Sequence, residues 1–199
     1  GFTGIEIFNQ MSEFKNRSRN LIALLLNALF PGRFLTGANP KALEKWDNLL
    51  NAGHRVFAFT GSDAHQSRFQ FGPIKFVVFP YLTHFTAVNT HAYITEPLNG
   101  ELEHDRSLIY TALKKGKFHI GLDRIYQTKG FEFKADHENG TAYAGDQLIL
   151  NQSATIKINL PTQAIVHLIR NGEVIEKWDN RVSIAQTITT AGVYRVECY

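Results

Sequence analysis

The spacing of hydrophobic and polar positions predicts strands alternating with helices in the N-terminal part of the chain. Residues 56–59 form an apolar run between Gly53 and Gly61, which predicts a buried strand that ends in a sharp turn. Residues 102–115 carry apolar positions three and four apart, and this spacing predicts an amphipathic helix that ends at Gly116. Apolar runs typical of buried strands and the three-and-four spacing typical of helices, found together in one segment, indicate an α/β architecture.

The pattern changes from Phe131 onward, where only strands are predicted. Residues 154–159 alternate between apolar and polar side chains, and the Asn-Gly pair at residues 171–172 is typical of a two-residue hairpin turn. Short strands at regular spacing favour a small antiparallel β-sandwich. We therefore expect an α/β domain over residues 1–129 and a β-sandwich domain over residues 130–199.

Two helices are predicted between the first two strands. The first should span residues 12–30, with Ser12 as its N-cap and Pro31-Gly32 ending it, and its apolar stripe predicts a buried helix. The second should begin at Asn39-Pro40 and end at Gly53. Strand, helix, helix and strand in this order predict parallel strands joined by a crossover, with the chemistry at the carboxyl ends of the strands.

Asp63 and His65 are the strongest candidates for chemistry, because they follow the strand at residues 56–59 and lie two positions apart. In extended backbone such residues point to the same side. A carboxylate and an imidazole together are typical ligands of zinc, manganese or iron. Arg68 follows closely and has two readings of equal weight, contact with an anionic substrate or a surface ion pair.

Three further side chains have structural interpretations when they are considered alone. Glu6 lies in the predicted strand at residues 4–8, where a salt bridge or a solvent contact at the strand end is favoured. His84 and His91 have no partner at a helix or strand ligand spacing, so we expect both to be histidines whose ring nitrogens are satisfied by structural hydrogen bonds.

The Gly-Ser-Asp-Ala-His sequence at residues 61–65 resembles the last metal motif of the PHP (polymerase and histidinol phosphatase) superfamily. Residues 4–9 are similar to the Gly, Glu and Asn strand motif of that superfamily. The Trp-Asp-Asn-Leu-Leu stretch at residues 46–50, the helix end at residues 112–116 and the β-rich tail resemble its CehA/McbA-like branch. The resemblance covers most of the chain, and its motifs occur in the family's order.

The resemblance implies the C-terminal portion of a distorted β/α barrel followed by the β-sandwich. It also implies Asp63 and His65 as metal ligands, with Glu6 and Asn9 lining the site, and it assigns no catalytic residue. The implied cofactors are divalent zinc, manganese or iron ions, more than one in the full-length protein. The family begins with a His-x-His motif, which this chain lacks, so a fragment without the first half of the barrel is expected.

The implied activity is that of a metal-dependent phosphoesterase that attacks a small phosphorylated substrate with metal-activated water. Carbamate, ester or amide hydrolysis is the related option within this branch. The alternative is a non-catalytic binding or interaction module built on the β-sandwich. Barrel faces left uncovered in a fragment would also favour self-association.

Composition narrows the classes of partner and compartment. The 199 residues carry a formal net charge of +3 with scattered basic positions, which gives no indication of nucleic-acid binding. The apolar stretch at residues 21–30 falls short of the roughly 20 residues of a membrane span, so no membrane association is expected. The only cysteine, Cys198, excludes an internal disulfide and a cysteine-based zinc site. Nothing points to an oxidising compartment and nothing excludes one, so the compartment stays open, with the cytoplasm as the favoured expectation.

Overall fold

A computed structural model gives a mixed α/β chain with several antiparallel sheets. The structure describes residues 2–199 except Pro31, Arg33 and Phe34, and leaves out the side chains of Phe71 and Phe76. Within these residues the helices are α1 (Gln10–Arg17), α2 (Leu21–Leu29), α3 (Pro40–Asn51), α4 (Tyr81–Phe85) and α5 (Leu102–Lys115). The strands are β1 (Gly4–Asn9), β2 (Phe57–Gly61), β3 (Ser67–Phe71), β4 (Ile74–Val78), β5 (Asn89–Ala92), β6 (Phe118–Gly121), β7 (Glu132–His137), β8 (Gly140–Tyr143), β9 (Ala154–Arg170), β10 (Glu173–Ile188) and β11 (Tyr194–Cys198).

Strands β1 and β2 are parallel, as the order of elements predicted. Gly4 lies opposite Phe57 and Asn9 lies opposite Gly61, so both strands end at the same edge of the sheet. The next two strand pairs, β3–β4 and β5–β6, are antiparallel hairpins. The part of the chain that the structure describes therefore contains one parallel pair flanked by hairpins.

The single helix predicted over residues 12–30 is wrong, because two asparagines each begin a helix of their own. The Asn9 side chain accepts a hydrogen bond from the Ser12 amide at 2.9 Å and is the N-cap of α1, so Ser12 is not the cap. Asn20 accepts from the Ala23 amide at 2.8 Å and is the N-cap of α2. The predicted stop at Pro31 lies outside the described residues.

Helix α2 is exposed, which contradicts the prediction that its apolar stripe is buried. The exposed fractions of Leu21, Ile22 and Leu29 are 69%, 72% and 71%. Asn27 is the buried residue of the helix, and its amide donates to the Arg17 carbonyl at 3.2 Å. Helix α2 therefore packs against the rest of the chain on the side that carries Asn27, and most of its leucines face outward. No helix within the described residues has the length and apolar character that crossing a membrane requires.

The core beneath β1 is a cluster of aromatic and small apolar side chains. Phe14 of α1 meets Phe79 edge to face, with ring centroids 4.5 Å apart. Phe79 directly follows β4 and adopts a positive φ of 55°, a conformation that a bulky side chain rarely takes. The buried members of the cluster are Phe8, Phe14, Leu35, Phe79, Ala87 and Val88.

The predictions for α3 and α5 are confirmed. Asn39 caps α3 by accepting from the Lys41 amide at 3.0 Å, and Pro40 occupies the first turn. Gly53 follows α3 with φ 81°, and Gly116 ends α5 with φ 71°. These two positions lie in the left-handed region, which glycine adopts without steric conflict.

The C-terminal part is antiparallel, as predicted, but its strands are far longer than the sequence suggested. Strands β9 and β10 have 17 and 16 residues and pair with each other along their length. Together with β7 and β8 they form one sheet in the order β10-β9-β7-β8. Strand β11 pairs with the end of β9. The turn between β9 and β10 has positive φ at Asn171 and Gly172, as the Asn-Gly pair predicted.

The C-terminal sheet is attached to the preceding α/β part through α3. Arg195 of β11 forms two hydrogen bonds of 2.8 Å with the carboxylate of Asp47 in α3. The Asn51 side chain donates to the Asn171 carbonyl at 3.0 Å. A polar junction of this kind fixes the hairpin of β9 and β10 against the end of α3.

Candidate metal-binding site

The candidate site lies where β1 and β2 end side by side. The backbone register brings Asn9 opposite Gly61, the residue that opens the Asp63 and His65 motif. A methyl group added to Gly61 would stand 2.5 Å from Oε1 of Glu6. The Glu6 carboxylate therefore covers the backbone of Gly61 and would have to move aside for a side chain at that position.

Asp63 and His65 contact each other at this edge. Nδ1 of His65 is 2.6 Å from the Asp63 carbonyl oxygen and 3.3 Å from Oδ1 of Asp63. The side chains remain 40% and 70% exposed for Asp63 and His65, respectively. Asp63 has a φ of 48°, a left-handed conformation that aspartate tolerates better than most residues. The turn thus presents an acid and an imidazole together to solvent.

The hydrogen bond within the turn fixes the tautomer of His65. A carbonyl oxygen only accepts, so Nδ1 carries the proton and donates it to Asp63, and Nε2 keeps its lone pair. Metal-binding histidines use the same arrangement, in which one ring nitrogen donates to a backbone carbonyl and the other binds the ion. The geometry therefore leaves the lone pair of Nε2 available to bind a metal ion.

Glu6 and Asn9 lie beside this pair and contact each other weakly. Nδ2 of Asn9 is 3.4 Å from each carboxylate oxygen of Glu6. Because Oδ1 of Asn9 caps α1, its amide orientation is fixed with the nitrogen toward Glu6. Asn9 thus has a structural role that the family motif alone did not suggest.

Arg68 lies on β3 opposite Val77, with an exposed side chain. It forms no ion pair with any acid among the residues that the structure describes. The surface-pair reading of Arg68 therefore has no contact to support it, and the guanidinium is open to solvent three residues after His65.

His84 contradicts the prediction of a structurally satisfied histidine. It is fully buried, and neither ring nitrogen has a hydrogen-bond partner in the described part of the chain. Burial lowers the pKa of His84, and the backbone of His65 raises it to a lesser extent. The 19-residue separation of His65 and His84 hides this neighbourhood from spacing arguments.

His91, in contrast, is a structural histidine as predicted. Its Nε2 donates to Asp123, 2.8 Å from Oδ2 and 3.1 Å from Oδ1. Asn89 donates to the same carboxylate at 2.8 Å, and the Thr128 hydroxyl also donates to it. The Asp123 carboxylate accepts from all three side chains, so this cluster joins the β5–β6 hairpin to the segment that precedes β7.

His119 stacks on His91 with ring centroids 4.5 Å apart. Burial, followed by the charge of His91, lowers the pKa of His119 to about 4. Burial also raises the pKa of Tyr93, whose hydroxyl is 2.7 Å from Nδ1 of His119, to about 12. The two groups are therefore neutral at pH 7.

The donor chemistry at Asp63 and His65 fits a divalent metal, although the number of donors is small. A carboxylate oxygen and a free imidazole nitrogen are ligands of zinc, manganese and iron. The described residues contain no ready-made group of three or more His, Cys, Asp or Glu side chains around one point. Catalytic zinc sites use three protein ligands, so Asp63 and His65 account for part of a ligand set.

Two depressions on the surface lie away from this turn. One has a volume of about 370 Å³ and is lined by residues of α1 and α2, including Arg17 and Asn27. The other, of about 400 Å³, runs along α3 and reaches His54. Neither is lined by Asp63 or His65, whose side chains lie exposed on the turn.

Comparisons with protein-family models, with curated proteins and with solved structures found no match to this chain. The resemblance to the PHP superfamily therefore depends on the motifs quoted above. It remains a prediction, and the functional argument rests on the geometry of the turn.

Proposed function

We propose that this chain is part of a PHP-type metal-dependent hydrolase and that Asp63 and His65 hold a divalent zinc, manganese or iron ion. The observation that carries the proposal is the position of both side chains on one exposed turn at the carboxyl end of a parallel strand. Nδ1 of His65 contacts Asp63, and Nε2 has no partner among the residues that the structure describes. Open α/β sheets and barrels bind their ligands at that end of the strands.

A divalent metal in such a site lowers the pKa of a bound water and polarises a phosphoryl oxygen. Asp63 and His65 would contribute two of its ligands. Glu6 would add negative charge beside the ion, and Asn9 would hold that carboxylate in place. The exposed guanidinium of Arg68 suits contact with the anionic group of a phosphate ester, which makes phosphate-ester hydrolysis the first proposal and carbamate or amide hydrolysis the second.

The remaining ligands would come from polypeptide outside the described residues, and two observations favour this. Strands β1 and β2 pair only with each other among the described strands, so neither has a hydrogen-bonded strand on its other side. The outward leucines of α2 likewise have no cover within the described chain. We propose that the α/β part belongs to a larger barrel and that the C-terminal sheet folds as a sandwich-like domain beside it.

The exposed apolar side chains of α2 also support a proposal about partners. Helix α2 combines an apolar sequence with high exposure, and contiguous apolar surface of this kind marks a site of association. We propose that α2 mediates self-association when no further barrel element covers it.

Metal content tests the functional proposal. In equilibrium dialysis against excess Zn²⁺, Mn²⁺ or Fe²⁺, with bound metal measured by elemental mass spectrometry, we expect the chain to bind metal weakly, because it supplies two of the ligands. Asp63→Ala and His65→Ala should each lose this metal, because each removes one of the two donors. Asp179→Ala is the matched control, since Asp179 is an exposed aspartate of β10. Equal metal content in all four proteins, or none in any, would contradict the proposal.

A further inference from the structure

The hairpin of β3 and β4 presents an exposed face that carries two cations. The register places Arg68 opposite Val77 and Gln70 opposite Lys75. Residues that lie opposite each other, or two apart in one strand, are on the same face of a sheet. Arg68, Gln70 and Lys75 therefore share one face, and all three are exposed. The hairpin thus presents both of its positive charges to solvent on the same side.

Neither cation has an acidic partner. Arg68 and Lys75 form no ion pair with any acid among the residues that the structure describes, and residues 64–95 contain no Asp or Glu. The Gln70 amide is engaged, because it donates to the Gly72 carbonyl at 3.0 Å. Arg68 and Lys75 are diagonal neighbours, whose Cβ atoms lie about 7–8 Å apart in an antiparallel pair. Two positive charges so close repel each other, and an anion held between them would relieve that repulsion.

Covalent geometry keeps Arg68 close to the turn of Asp63 and His65. Strand β3 begins at Ser67, two residues after His65. Three residues of fully extended chain span at most about 11 Å, so the Cα atoms of His65 and Arg68 lie within that distance in any conformation of the turn. A phosphate ester bound at the turn can therefore extend to the Arg68 guanidinium, and no rearrangement of the chain is required.

We propose that Arg68 and Lys75 form an anion clamp on the β3–β4 hairpin and that this clamp selects substrates that carry a phosphate group. The inference rests on the proposed function, because it names the substrate class of that same site. A phosphate group carries nearly two negative charges at pH 7 and has several acceptor oxygens, so two cations can hold it at once. Arginine donates to phosphate in a bidentate manner, and lysine acts as a compact point charge.

The clamp also distinguishes the two proposed reactions. A phosphate monoester brings its charge to Arg68 and Lys75, whereas a neutral carbamate or amide brings none. Binding through the clamp would therefore favour phosphate esters, and it would not help the enzyme to hold the alternative substrates. Both residues act on the part of the substrate that they contact, and neither replaces a metal ligand.

The test is an NMR titration of the metal-free full chain, with phenyl phosphate as the probe and phenyl carbamate as its neutral counterpart. We expect phenyl phosphate to shift the backbone amide signals of β3 and β4, and phenyl carbamate to leave them unchanged. Arg68→Gln and Lys75→Gln should each weaken phenyl phosphate binding by about two- to five-fold, which is the effect of one exposed charge. The double variant should bind phenyl phosphate more weakly than either single variant.

The matched control is a chain with both Lys177→Gln and Arg181→Gln, because these residues are exposed cations of β10. It lowers the net charge as much as the Arg68 and Lys75 double variant does, and it should bind phenyl phosphate as the unchanged chain does. An equal loss in this control would refute the clamp, since net charge alone would then explain the binding. Equal binding of phenyl carbamate and phenyl phosphate would refute it as well.

Metal content separates the failure of this inference from the failure of the proposed function. If phenyl phosphate does not bind while Asp63→Ala still removes metal, the clamp is overturned and the metal site stands. If phenyl phosphate binds through Arg68 and Lys75 while Asp63→Ala leaves the metal content unchanged, the hairpin keeps its anion-binding role and the proposed hydrolase falls.

Discussion

The contact between Arg195 and Asp47 allows the sharpest prediction about stability, because it joins the C-terminal sheet to α3. Nε and Nη2 of Arg195 each donate to Asp47 at 2.8 Å, and Nη1 donates to Glu197. The side chains of Arg195 and Asp47 are only 13% and 12% exposed. The guanidinium also lies over Trp46, 5.8 Å from the ring centroid. Replacing Arg195 with Met would leave two carboxylates close together without a cation.

The expected magnitude follows from this burial. Removing one partner of a buried ion pair costs about 3–5 kcal/mol, because the remaining charge is desolvated and unpaired. An exposed ion pair contributes about 0–1 kcal/mol. We expect Arg195→Met to fall in the first range. Asp47→Asn should cost less, about 1–2 kcal/mol, because Glu197 still pairs with Arg195 and the amide oxygen still accepts one hydrogen bond.

Urea-induced unfolding, followed by tryptophan fluorescence and circular dichroism, measures these free energies of unfolding. The control is Lys157→Met, which breaks the exposed 2.6 Å pair of Lys157 with Asp136 on the C-terminal sheet and should change stability by no more than about 1 kcal/mol. An Arg195→Met variant as stable as Lys157→Met would refute the reasoning. The contact would then behave as a surface pair in spite of its burial.

Two further predictions concern pH and association. Because the pKa of His119 is lowered to about 4 from 6.5, the folded state binds fewer protons than the unfolded chain, and stability is lost as pH falls from 6.5 towards 4. The full pKa difference corresponds to about 3 kcal/mol, and partial solvent exposure reduces it to about 1–2 kcal/mol. In urea unfolding, the stability advantage of the unchanged chain over His119→Gln should therefore shrink by about 1–2 kcal/mol between pH 7 and pH 4.5. A difference that stays constant with pH would contradict this. Replacing Ile22 and Leu29 of α2 with Ser should lower the mass measured by light scattering, and a monomeric unchanged chain would contradict self-association through α2.

Local chemistry explains which parts of the fold could be predicted. Asn39-Pro40, Gly116 and the Asn-Gly turn at residues 171–172 all act through their own backbone and nearest neighbours, so their effect is readable from sequence. Each imposes a cap or a left-handed residue that the rest of the chain does not override. The bounds of α3, α5 and the β9–β10 turn follow from these residues.

The long strands β9 and β10 were missed because their interruptions resemble turns. Pro161 lies in the middle of β9 and is normally a sign that a strand ends. In the structure it falls in the register shift between Asn159 and Ala164, where proline is tolerated because no ladder hydrogen bond is required of it. Asn180, with φ 53°, marks a similar shift in β10. A proline or asparagine at a bulge and the same residue at a turn look alike in sequence.

The errors at α1 and α2 have a different origin. Asn9 and Asn20 each cap a helix, but in the sequence Ser12 and the Pro31-Gly32 pair resemble the two ends of one helix. Burial of α2 could not be judged from its own residues, because an apolar stripe shows which side would be covered and not whether a neighbour covers it. The exposed Ile22 and Leu29 are therefore a property of tertiary context.

At the candidate site, spacing could bring Asp63 and His65 together but could not count the donors around them. The pair meets through a left-handed turn at Asp63 and not through the extended backbone that the spacing suggested, and spacing alone does not predict that turn. Two protein donors fall short of the three that a catalytic zinc site uses, so the affinity of the isolated chain measures how complete the ligand set is. Tight Zn²⁺ binding that depends on Asp63 would require donors from a second copy of the chain or a rearranged turn. Weak binding that depends on the same residue would instead indicate that the missing ligands lie on other polypeptide.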